Sequence, residues 1–78
     1  MMTADDYINW ANEYRQDAEA AEHLYYKYKV KLKEHMGSME RTRLLGQITM
    51  YYEQMIKCHA IAKDMEQRAE QIRKKENN

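Results

Sequence analysis

Small and apolar residues recur along this chain at alternating intervals of four and three, and the rhythm breaks once, at Gly37-Ser38. Before the break the repeat runs through Tyr7, Ala11, Tyr14, Ala18, Ala21, Tyr25, Tyr28, Leu32 and His35. After it, Leu44, Ile48, Tyr51, Met55, Cys58, Ala62, Met65, Ala69 and Ile72 carry it on. A spacing that averages 3.5 residues is the seam of a coiled coil. Two seams joined by a short glycine-containing turn predict an all-α fold, an antiparallel two-helix hairpin. The expected elements are helix 1 over about 4–36, a turn at 37–38, and helix 2 over about 39–75, one domain over residues 1–78.

Local signals agree with this division. Thr3 is placed to cap the first helix, and Thr3-Ala4-Asp5-Asp6 resembles a capping box with Asp in the fourth place. Proline is absent. Gly37 fits the left-handed position that ends many helices, and Ser38 fits the N-cap of the next. Antiparallel pairing about Gly37 predicts facing residues whose numbers add to about 74. That register sets Tyr28 near Leu45 and Ile48, Ala18 and Ala21 near Tyr52 and Met55, and His59 opposite Arg15. Large residues then face small ones along most of the seam, as close packing favours.

The seam is thin. Leu, Ile and Val number only ten among the 78 residues, and Phe is absent, while Tyr and Met number seven each. A chain this short has difficulty burying enough apolar area alone. Dimerisation of two hairpins into a four-helix bundle is the simplest remedy. A second stripe offers the surface for it. Leu45, Tyr52, Ile56 and His59 follow helical spacing on the flank of helix 2, and Tyr26 and Val30 add apolar area near the turn. The competing reading is that the long Lys29 and Glu22 side chains lie over this stripe.

Charge is unevenly spread although the formal net charge is zero. Residues 1–22 carry one Arg and six acids; residues 23–45 carry six Lys or Arg and two acids. Arg41 and Arg43 fall at the start of helix 2, where the helix dipole disfavours cations. Lys27, Lys31, Arg41, Arg43 and Tyr26 are therefore candidates for binding an acidic protein partner. The alternative is nucleic acid, since basic residues interleave with Tyr25, Tyr26 and Tyr28, and phosphate contacts with base stacking need both types. The lysines occupy different heptad positions, however, and form a collar rather than a stripe.

Enzymatic chemistry finds no motif. There is no glycine-rich phosphate loop. Cys58 and His59 diverge by roughly 100° on a helix and do not easily share an ion, so no metal site is expected. No catalytic residue or cofactor is expected either. The first residues lack the basic start and apolar run of a signal peptide, and no stretch suits a membrane span. One cysteine fits a reducing compartment, which makes the cytoplasm the expected location. The function expected is protein–protein interaction by a small non-enzymatic helical module, an adaptor or an inhibitor.

Overall fold

The computed structural model describes residues 2–77 as two helices, α1 (Ala4–Lys31) and α2 (Ser38–Glu76), packed antiparallel against each other. No strand occurs among the described residues. The molecule is a rod of 62 × 16 × 14 Å, whose length is set by the 39 residues of α2.

α1 begins as its residues direct. The Asp6 amide donates to Thr3 Oγ1 at 3.2 Å, and the Thr3 amide donates to Asp6 Oδ2 at 2.9 Å. Both halves of the capping box are formed. The accepted hydrogen bonds hold the Asp6 carboxyl below the ordinary carboxylate range, the Thr3 backbone amide contributing most.

The other end of α1 departs from expectation. The helix stops at Lys31 rather than near residue 36. Leu32, Lys33 and Glu34 donate to carbonyls three residues back, so the helix tightens into turns of the 3₁₀ kind and runs out without a left-handed residue. Gly37 has φ −67° and ψ 160°, an extended conformation, and it is itself the N-cap of α2; Ser38 is the first helical residue. The two-residue turn is therefore corrected to a connection over residues 32–37. Its physical closure comes from Arg41, whose guanidinium donates to the Leu32 carbonyl at 3.2 Å.

The longer connection shifts the register. Asp5 meets Arg73, Tyr25 meets Tyr52 and Tyr28 meets Tyr51, numbers that add to 77–79 rather than to about 74. The Arg15 fork straddles this register, reaching both His59 and Glu66. Tyr28 consequently lies on Tyr51, with ring centroids 5.6 Å apart and planes 5° apart.

Seam membership survives the shift. Every expected seam residue is buried or half-buried except His35, which falls in the connection and is exposed. The expected facing of large against small fails in the turn half, where Tyr25 meets Tyr52 and Tyr28 meets Tyr51. Small residues collect in the open half of the rod, where Ala4, Ala11 and Ala18 recur every seventh position on α1 and Ala62 and Ala69 do so on α2; these five are 0–6% exposed. In the turn half Tyr25, Tyr28 and Tyr51 are half-buried and Leu44 is buried.

Candidate interaction surface

The surface is built from one flank of each helix. Tyr25 occupies the seam of α1 and links the two flanks: its ring centroid is 5.1 Å from that of Tyr26 and 5.5 Å from that of Tyr52 across the hairpin. Val30 stands one turn beyond Tyr26, and the two share a shallow groove with Lys29 and Lys33. On α2, Leu45, Tyr52 and Ile56 recur at helical spacing on one side. Tyr26, Val30, Leu45, Tyr52 and Ile56 are 55%, 62%, 46%, 45% and 47% exposed. They form one continuous apolar face across both helices in the turn half of the rod. Lys29 does fold back, with its Nζ 5.3 Å from the centroid of the Tyr25 ring and 3.3 Å from its hydroxyl. It covers the seam ring, and the five side chains of the face stay open.

His59, expected on the same stripe, is half-buried and engaged. Arg15 Nη1 lies 2.9 Å from His59 Nδ1, within hydrogen-bond distance, and Arg15 Nη2 donates to Glu66. The expected proximity of His59 to Arg15 is observed. The part of Glu66 in it was not anticipated, because the shorter register had put Glu66 out of reach. His59 thus bounds the apolar face with an ion-pair clamp between the helices. Cys58, beside it, is a free cysteine buried in the seam.

Two of the basic candidates, Lys31 and Arg43, lie in a different groove from Tyr26. Lys31 and Arg43 line a groove with Tyr28, Met36 and Leu44, and that groove also holds Glu34 and Glu40. Two residues along a helix turn by about 200°, so Tyr28 and Tyr26 look to different sides. Lys31 Nζ lies 5.2 Å from the Tyr28 ring centroid, a cation–π contact within the hairpin. Lys27 is exposed on the outer side of α1. Arg41 has a structural occupation: it sits in the first turns of α2 but delivers its charge to the C-terminal carbonyl of α1, where the dipole favours a cation. Among the residues singled out from the sequence, Leu45, Tyr52, Ile56 and Tyr26 fall on one side; Lys31 and Arg43 share a second groove, which Lys27 and Arg41 do not line.

Among the described residues no helix is long and apolar enough to cross a membrane. No family model matches the chain, and no curated protein or solved structure matches it.

Proposed function

We propose that this chain is a small, non-enzymatic protein–protein interaction module, an adaptor or inhibitor that acts through the side faces of its hairpin and pairs with a second copy into a four-helix bundle. The observation that carries this reading is the continuous apolar face of Tyr26, Val30, Leu45, Tyr52 and Ile56. Monomeric proteins seldom leave such a face to water, and tyrosine suits protein interfaces because its ring is buried while its hydroxyl stays wet. The seam supports the same reading. Its most buried residues are alanines, which contribute little area each, so a second apolar layer adds stability that one seam does not supply.

Sedimentation equilibrium at micromolar concentration tests it. The wild type is expected near twice 9.5 kDa, and Tyr52→Glu/Ile56→Glu is expected as a helical monomer. Affinity purification from the native host extends the test. A stoichiometric protein partner retained by wild type and lost by the double variant supports an adaptor or inhibitor; a cooperatively melting monomer with no partner overturns the reading.

The excess of Lys and Arg over residues 23–45 supports a second reading, contact of the turn end with an acidic surface, either an acidic protein or nucleic acid. Stacking on bases would rely on Tyr26, because Tyr25 and Tyr28 are engaged inside the hairpin. Phosphate contact would weaken steeply with added salt, whereas an apolar interface would not.

A further inference from the structure

We infer that the second copy packs on the apolar face in antiparallel orientation, with a two-fold axis passing beside Tyr26 and Tyr52, so that the turn ends of the two hairpins point in opposite directions. This rests on the reading of the face as self-associating and adds its geometry. The argument comes from the charges that frame the face.

On α1, Glu19, Glu22, Tyr26, Lys29 and Lys33 share one side at spacings of three and four. Lys29 and Lys33 line the same groove as Tyr26, which fixes them on the apolar face rather than behind it. About Tyr26 the series is opposite in sign and symmetric to within one residue: acids stand seven and four residues before it, bases three and seven residues after it. A two-fold rotation that reverses the rod lays α1 on its own copy, with residue 26+k facing residue 26−k. Lys33 then faces Glu19 of the second copy, and Lys29 falls beside its Glu22. Each contact occurs twice. On α2 the same rotation, centred close to Tyr52, sets Leu45 between Ile56 and His59 of the second copy. Tyr26 and Tyr52 then meet their own counterparts beside the axis.

The other isologous arrangement, with the rods parallel and both turn ends together, brings Lys29 and Lys33 of the two copies to the same height. There α1 lies on α2 of the second copy, so neither Lys29 nor Lys33 meets Glu19 or Glu22, and the lysines of both copies share one end of the interface while the glutamates share another part of it. Like-charge juxtaposition of this kind selects against a binding mode even where apolar contact is similar. An isologous interface needs one patch to complement itself, and this patch does so only when reversed.

Two measurements on the full chain test the geometry. Lys33→Glu sets like charges against Glu19 of the second copy at two symmetric places and is expected to weaken self-association roughly three- to tenfold. Adding Glu19→Lys to the same chain is expected to restore it; failure of the double swap to restore affinity overturns the pairing. The orientation is read by spin-label distance on Ser38→Cys in a Cys58→Ala background. Ser38 lies 14 residues from Tyr52 along α2, so the antiparallel dimer places the two labels about 40 Å apart at about 1.5 Å per residue. A dimer with labels within about 20 Å, roughly two helix diameters, overturns the orientation and leaves self-association standing. A monomer by sedimentation, with no label–label distance, overturns both.

Discussion

Gly37 shows how a residue type underdetermines its conformation. Glycine after a helical run usually reads as a left-handed terminator, yet here it is extended and caps the next helix without a side-chain hydrogen bond. A Cβ built on it meets nothing within 4 Å. Gly37→Asp should therefore supply an N-cap acceptor and remove unfolded-state freedom, raising stability by about 0.5–1 kcal/mol. A thermal melt should show an increase of a few degrees, whereas a left-handed Gly37 would give a decrease. At the opposite cap, Asp6 is held as an anion by the Thr3 amide and hydroxyl. A carboxyl whose folded pKa lies below its unfolded value contributes stability above the unfolded value. That contribution is lost as pH falls through the lower folded value. The Asp6 carboxyl, followed by NMR, should titrate below the ordinary value of 3.8, and Thr3→Ala should move its midpoint back upward. α1 should fray at its start over the same acid range.

At the scale of the element, the two halves of the seam are packed on different terms. In the open half, alanine at every seventh position leaves no room for a larger side chain. Ala18 is 0% exposed and Ala20, two residues on, is exposed. Ala18→Leu should cost about 1–3 kcal/mol through overpacking, while Ala20→Leu should change little. Chemical denaturation of the two variants checks this, and similar midpoints would contradict the seam assignment. In the turn half, aromatic rings fill the seam without being fully buried, and their outer edges merge with the exposed face. Tyr25 makes the point: it packs on Tyr52 across the seam and on Tyr26 beside it. The heptad rhythm identified which positions form the seam, because burial follows helical spacing whatever the partner's register. It did not identify what those positions touch. The facing register depends on where α1 ends, and α1 ends through 3₁₀-type turns and an arginine cap that leave no mark in the hydrophobic pattern.

At the scale of the whole molecule, a rod 16 Å by 14 Å in section keeps every residue close to solvent. Its stability should then depend on its own concentration if the apolar face pairs. Raising protein concentration tenfold should raise the melting temperature of wild type by mass action. Tyr52→Glu/Ile56→Glu should melt lower and without concentration dependence. Differential scanning calorimetry at several concentrations separates the two behaviours. The candidate face was partly legible in advance. Leu45, Tyr52 and Ile56 fall off the heptad seam and are exposed, as their spacing implies. His59 shares that spacing, but the Arg15–Glu66 clamp takes it up. The separation of Lys31 and Arg43 from the groove of Tyr26 was not legible, since their sequence proximity says nothing of the side each takes once α1 has stopped.

By itself the sequence determined that this chain is helical, that it divides once near Gly37, how its first helix is capped, and which residues of the helices face inward. All of these follow from short-range physics: backbone hydrogen bonding, cap chemistry and a 3.6-residue turn. Only the tertiary structure decided the register of α1 on α2, the extended cap at Gly37, the diversion of Arg41 to the Leu32 carbonyl, and the union of Tyr26 with Tyr52 into one face. Those features join residues that are distant in sequence or lie on different helices. They were set by packing between the helices and by the path of a six-residue connection, neither of which a periodic pattern encodes.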